Sequence, residues 1–352
     1  MPLIINVPDT LRRQVEAASL GLNTVLYTWA GQPSFMRVVP LTANSALDAG
    51  LGAGNHPAFT VGGVEKSYLY LGLYPGKVLN GELVSQPGVD PSHTLNHDQF
   101  VAYARAAGAG WHCMSNIEWA LLGAICYKAG FQPRGNTSYG RDYAETAEVG
   151  RRQDGVTPGT ASGDARTFTG SGPLAWRHDN TPYGLADLAG NVWEWSPGLR
   201  LNNAEIQVIA NNDAALNATD FAVGGAAWQA IDGATGALVA PGHANAVKLA
   251  GSGTANYTLV VGSGAAFSGM TNPGGTPVAA AALETLKRHG IYPLAAAGLG
   301  ADAVYHTLTG ERLSFRGGSW GSAAASGVFA VNLDRERSFA DTGIGARPAF
   351  VA

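Results

Sequence analysis

Apolar residues recur at helical spacing in four places along the chain. Leu11, Val15 and Ala18 share one face of a helix expected over 9–20, with Gly21 as its stop. A second helix is predicted from Asn96, an N-cap with Gln99 three residues on, burying Phe100, Tyr103, Ala104 and Ala107 before Gly108 ends it. Ser115 and Glu118 form another capping box ahead of Ala120, Leu121, Ala124 and Ile125, and Gly130 is placed as the C′ residue. A short fourth helix is read over 280–288, where Leu283 and Leu286 recur and Gly290 closes the run.

Strands are expected where apolar runs are short and bounded by glycine or proline: 3–7, 27–29, 35–39, two runs within 58–75, 192–195, and EIQVIA, GALVA and YTLVVG between 199 and 310. In the 192–195 strand Trp193 and Trp195 fall on one face and Glu194 on the other. A carboxylate so placed is expected to be buried or half-buried and paired with an arginine, with Arg316 and Arg347 as candidates, and a catalytic carboxylate is the weaker alternative. Residues 42–57 and 131–182 carry turn residues and no period, and Trp176 is expected to anchor the longer stretch.

Composition narrows the reading. The chain has 352 residues, room for one to three domains. Charged residues are 14%, against an ordinary ~25%, so Gly, Ala, Asn, Ser and Thr must cover much of the surface. A net charge of −4 without a basic cluster gives no footprint for nucleic acid or an anionic membrane. No apolar run reaches the ~18 residues of a membrane span. The start, MPLIINVPDTLRRQ, lacks the order of a secretory signal. Export within an assembled particle, or by a signal-independent route, is compatible with that start.

Candidate chemistry is sparse. Cys113 and Cys126 flank a helix-length stretch that puts them ~15 Å apart, beyond disulfide reach, and both read as small core residues. His93 and His97 have the spacing of two metal ligands on a helix, but Asn96 as a cap leaves His93 in a loop with no acidic partner in place. No metal and no cofactor are expected. Asp187, Asn191 and Glu194 form a lesser alternative, as oxygen ligands for Ca²⁺. Gly262-Ser263-Gly264 lacks the spacing of a nucleophile elbow, Gly52-Ala53-Gly54 is a loop fragment, and no P-loop occurs.

The stretch 313–352 mixes two kinds of position. Arg316, Gly317, Gly318, Trp320, Gly327, Phe329, Ile344, Gly345, Arg347 and Pro348 are structurally demanding. Between them stand Ser319, Gly321, Ser322, Ala325, Asp334, Arg335, Phe339, Asp341, Thr342 and Gly343, which share no chemical theme. That is the pattern of a rigid frame presenting an interchangeable face. Gly317-Gly318 ahead of Ser319-Trp320 points to a bulge or close backbone approach beside a large anchored aromatic.

Three segments, GWHCMSNIEWALLGA (110–124), NTPYGLADLAGNVWEW (180–195) and FRGGSW…GIGARPAF (315–350), together resemble the formylglycine-generating-enzyme type of C-type lectin fold. The resemblance implies an α+β chain with an N-terminal segment 1–57, a lectin-like domain 58–352 and a long Gly/Ala/Asn-rich insertion at about 199–310. The sulfatase-modifying enzymes of that group carry redox cysteines that hold copper near the C-terminal core, yet 127–352 contains no cysteine. The histidine-rich iron site of the related sulfur-transferring enzymes is not visible either. The resemblance therefore implies the scaffold without catalysis.

A narrower resemblance covers 314–352, which is similar to the variable region of proteins diversified by retroelements, in RGG-x-W, GVFA-x-N-L and IG-x-RPAF. In that family, mutagenesis at adenines in AAY codons reaches Ser, Gly, Ala, Asp, Arg, Phe and Thr, but never Lys, Glu, Gln, Met or Trp. Ser319, Gly321, Ser322, Ala325, Asp334, Arg335, Phe339, Asp341 and Gly343 all belong to the reachable set. The resemblance implies that these nine bind a protein or glycan ligand, such as a cell-surface receptor, in a phage or prophage setting with virion association. Arg316, Gly317, Gly318, Trp320, Phe329, Arg347, Trp193, Glu194 and Trp195 would be the frame beneath them. Neither an E-P-N nor a W-N-D sugar signature is present, so Ca²⁺-dependent sugar binding is not expected. An enzyme of the formylglycine-generating or iron-dependent type, and a structural particle component, are the alternatives.

Overall fold

The computed structural model describes residues 9–352, and the strand expected at 3–7 lies outside them. The chain is α+β, with mostly antiparallel strands.

Local sequence sets the helices. Thr10–Ala18 is capped by the Asp9 carboxylate, which accepts from the Arg12 amide at 2.9 Å. His97–Ala106 and Asn116–Ala129 each begin with a complete capping box, at Asn96/Gln99 and Ser115/Glu118. Gly130 ends the second of them at φ +65°. This helix differs from the expected amphipathic pattern, because every residue from Asn116 to Ala124 is buried. Over that span it packs against Trp193–Asn202 and Gly327–Leu333 of one sheet and against the Ala280–Arg288 helix, so none of its first turns keeps a face for water.

The first sheet has five strands in the order Asn23–Tyr27, Pro33–Pro40, Tyr68–Gly72, Pro348–Phe350, Trp111–Cys113. The Pro348–Phe350 strand thus lies between two strands that precede it by more than 200 residues. The larger sheet is built on Trp193–Asn202, which pairs antiparallel with Glu205–Ile209 on one side and Glu311–Gly317 on the other. Glu311–Gly317 pairs in turn with Gly327–Leu333. Strands from 199–310 extend the sheet at both ends, and Ile344–Ala346 adds in parallel to Trp193–Asn202.

Consecutive strands of the two sheets meet at Arg347. Its carbonyl accepts from the Met114 amide at 2.7 Å. Its buried guanidinium donates to Gly72 O and Ala186 O, each at 2.9 Å. One residue thereby ties the first sheet, the larger sheet and the 182–192 loop.

The frame and the face of the C-terminal segment

Trp193 and Trp195 share a face, as their alternation requires. Both rings meet Phe315 edge-on, at centroid distances of 5.3 and 4.9 Å. Glu194 takes the opposite face, and of its two candidate partners the structure selects Arg347. The guanidinium donates from Nε to Oε2 at 2.9 Å and from Nη2 to Oε1 at 2.7 Å. Burial pushes the Glu194 carboxyl upward, and Arg347 pulls it back. Arg316 has different surroundings: its Nε and Nη2 donate to Asn116 Oδ1, and Nη2 also to Gly290 O at 2.9 Å.

The expected bulge lies between Arg316 and Gly317, where the pairing with Gly327–Leu333 shifts register. Gly317 and Gly318 both have φ +94°. A Cβ on Gly318 would sit 2.1 Å from Ser326 Oγ and 2.8 Å from Ser326 Cα. Gly318→Ala is therefore expected to cost about 1–3 kcal/mol from the backbone conformation alone, with the clash added. Urea unfolding of the variant checks this.

The nine candidate face residues fall into two groups. Ser319, Gly321, Ser322 and Ala325 occupy the loop leaving the Gly317 end of the sheet. Asp334 and Arg335 leave its Leu333 end, after a seven-residue strand, or ~20 Å. The chain then returns through Phe339 to Asp341 and Gly343, where a Cβ on Gly343 would lie 3.5 Å from the Trp320 ring and 3.6 Å from Ser319 Cβ. In the distant group, Arg335 stacks over the Phe339 ring at 4.5 Å and pairs with Asp334 at 3.2 Å. Phe339 is half-buried against the cluster that holds Trp193 and Ile344.

Two expectations are corrected. Gly343 is buried rather than presented, because its carbonyl accepts from the Trp193 amide at 2.8 Å and so belongs to the sheet. Trp320, expected beneath the nine positions, is only half-buried. Arg166 stands 5.8 Å from its ring centroid. Gly321, Arg335 and Asp341 are exposed, and Ser319, Ser322, Ala325, Asp334 and Phe339 are half-buried. Phe329 is buried.

Main-chain hydrogen bonds hold both loops to the rest of the protein. Trp320 O accepts from Tyr139 N at 2.8 Å, Ala323 N donates to Thr137 O at 2.9 Å, and Trp320 N donates to Asn191 O at 3.2 Å. On the returning segment, Arg335 O accepts from Leu313 N at 3.1 Å and Asp341 O from Thr94 N at 3.0 Å. No side chain of the nine takes part in these five bonds. Sequence reasoning missed the residues that brace the loops from outside. Arg166 donates to Thr342 O at 3.1 Å while gripping Asp90. Arg337 pairs with Asp98 at 2.7 Å and Glu311 at 3.1 Å. In sequence both look like ordinary surface arginines, and only their distant carboxylates distinguish them.

The alternative chemistries find no convergent geometry. His97 is packed edge-on between Trp195 and Phe221, at 5.7 and 5.6 Å, while His93 Nδ1 bonds Thr94 Oγ1 at 2.7 Å. Asn191 Oδ1 accepts from Thr167 N at 2.8 Å, Asp187 Oδ2 accepts from Gly170 N at 2.8 Å, and Glu194 serves Arg347. Among the described residues, no three His, Cys, Asp or Glu side chains are grouped to hold a metal ion. Cys113 and Cys126 are buried and unpaired with each other. Burial pushes the Cys113 thiol upward and the Cys126 thiol up to about 12, so neither supplies a thiolate at neutral pH. Among the described residues, no helix is long and apolar enough to cross a membrane.

No protein-family model matches the chain, and no curated protein matches it. Among solved structures it is similar to Treponema denticola variable protein 1, at 12% identity and a TM-score of 0.32, over 94% of this chain and 99% of that one. It is similar also to the U1 and P3c variants of Major Tropism Determinant, each at 13% identity, with TM-scores of 0.32 and 0.30. Those alignments cover 90% of this chain and 62% of each variant. At these scores the likeness fixes neither fold nor function.

Proposed function

We propose that this chain is a ligand- or receptor-binding protein, with a lectin-like domain at 58–352 of the C-type, formylglycine-generating type, elaborated at about 199–310. Its specificity is set by 314–352, diversified by a retroelement. The contact residues are Ser319, Gly321, Ser322, Ala325, Asp334, Arg335, Phe339 and Asp341, with Trp320 as a constant aromatic among them. The ligand is a protein or glycan on a cell surface, met from a phage particle.

One observation carries this reading: the two loops are tethered through main-chain groups. A main-chain hydrogen bond does not depend on which side chain its residue bears. The loops can therefore keep their course while exposed positions change, each at a cost within ~0.5 kcal/mol. Arg335 and Phe339, stacked on one another, are the side chains best suited to dominate a contact.

A pair of libraries tests the proposal. Randomising the eight positions is expected to leave most chains folded and to yield binders to a purified bait protein. Randomising Trp193, Glu194, Trp195, Arg316 and Arg347 is expected to leave few folded chains. Equal loss of folding in both libraries would overturn the frame and face, and a folded first library without binders would overturn the binding role. Beside the gene, the proposal expects a near-copy of the DNA for 314–352, differing at adenines, next to a reverse transcriptase.

A further inference from the structure

Five arginines are buried among the described residues: Arg152, Arg166, Arg200, Arg316 and Arg347. Four face a carboxylate: Arg152 pairs with Asp154 at 2.6 Å, Arg166 with Asp90 at 2.8 Å, Arg200 with Glu311 at 2.6 Å, and Arg347 with Glu194 at 2.7 Å. Arg316 is the exception. Its acceptors, Asn116 Oδ1 and Gly290 O, are neutral, and its Nη1 has no hydrogen-bond partner.

A cavity of about 20 Å³ adjoins this guanidinium. That is room for one water-sized species, which needs ~10–15 Å³. The walls are apolar, from Trp119, Phe267, Val328 and Phe329, all buried. The second charged residue on the cavity is another cation, Lys287, half-buried at the end of the Ala280–Arg288 helix. The cavity lining holds no carboxylate, and since the Lys287 ammonium reaches Gly50 beside Asp48, Arg316 is the uncompensated cation. An uncompensated charge in such surroundings is costly. Burial pushes Arg316 down only to about 9, so it stays cationic at neutral pH.

We infer that Arg316 and Lys287 form a binding site for one small monovalent anion of the halide class. Arg316 Nη1 donates to it from within, and Lys287 attracts it at the rim. The site is independent of the proposed face, although Arg316 directly precedes the Gly317-Gly318 bulge from which the face departs.

The test uses the whole protein at fixed ionic strength, with sodium chloride exchanged for sodium gluconate. The thermal midpoint is expected to rise by about 2 °C per tenfold increase in chloride above the dissociation constant. Lys287→Met is expected to shift that dependence at least tenfold toward higher chloride, and Arg316→Met to abolish it. A crystal soaked in bromide is expected to show an anomalous peak within hydrogen-bonding distance of Arg316 Nη1. Midpoints equal in chloride and gluconate, or a bromide soak with no peak at Arg316, would overturn the inference. Both wild-type measurements decide the matter even if Arg316→Met does not fold.

Discussion

Arg347→Met is expected to lower the unfolding free energy by about 3–5 kcal/mol, the range for removing one partner of a buried ion pair. Glu194 would be left as an unpaired carboxylate with 1% exposure. The loss extends beyond the ion pair, because the same guanidinium donates to Gly72 O and Ala186 O. Glu194→Gln in the Arg347→Met background is expected to recover part of the loss, since the orphaned charge goes while the two carbonyls stay unserved. Urea denaturation of wild type, both single variants and the double variant gives the coupling directly. Additive single losses, with no recovery, would show that the pair does not act as a unit.

Lowering the pH from 7 to 4.5 is expected to remove about 5 kcal/mol through two histidines alone. His56 stands in the 42–57 loop and His289 caps the Ala280–Arg288 helix. Each has a buried ring nitrogen without a partner, Nε2 and Nδ1 respectively. Burial pushes both down to about 3, with the nearby charge of Arg288 adding at each and that of His289 adding at His56. In the unfolded chain each takes up a proton near pH ~6.5. Between these values the unfolded state binds more protons, so stability falls as the pH drops below about 6.5, and the loss stops growing near 3. His178, pushed down to about 4, acts in the same sense. Asp302 opposes them: burial pushes it up to about 7, so the folded chain holds a proton that the unfolded chain releases. The share of the pair is therefore read as the difference in pH slope between wild type and the His56→Asn/His289→Asn variant. Parallel slopes from pH 6.5 to 4.5 would refute this assignment.

Legibility followed the range of each interaction. The capping boxes at Asn96 and Ser115 and the Trp193-Glu194-Trp195 alternation are properties of neighbouring residues, and they could be read directly. That Glu194 needed an arginine was also legible. The choice of Arg347 over Arg316 was not, because it depends on which strand lies parallel to Trp193–Asn202, a partnership across 153 residues. Trp320 was misplaced for a similar reason. A tryptophan after two glycines reads as an anchor, and its exposure is decided by how the 131–182 stretch wraps past it. Gly343 looked interchangeable because its constraint is a carbonyl bonded to the Trp193 amide, which no side-chain pattern records.

Pro348–Phe350 lies between Tyr68–Gly72 and Trp111–Cys113, which bears on the diversification proposed for 314–352. The closing strand is encoded downstream of every position in the face. A stop or a shifted reading frame anywhere in 319–343 would delete it, and Arg347 with it, leaving Trp111–Cys113 without its partner in the first sheet. Such a product would lose the fold. Folding would thus act as a checkpoint on genetic integrity, passing altered surfaces while rejecting broken messages.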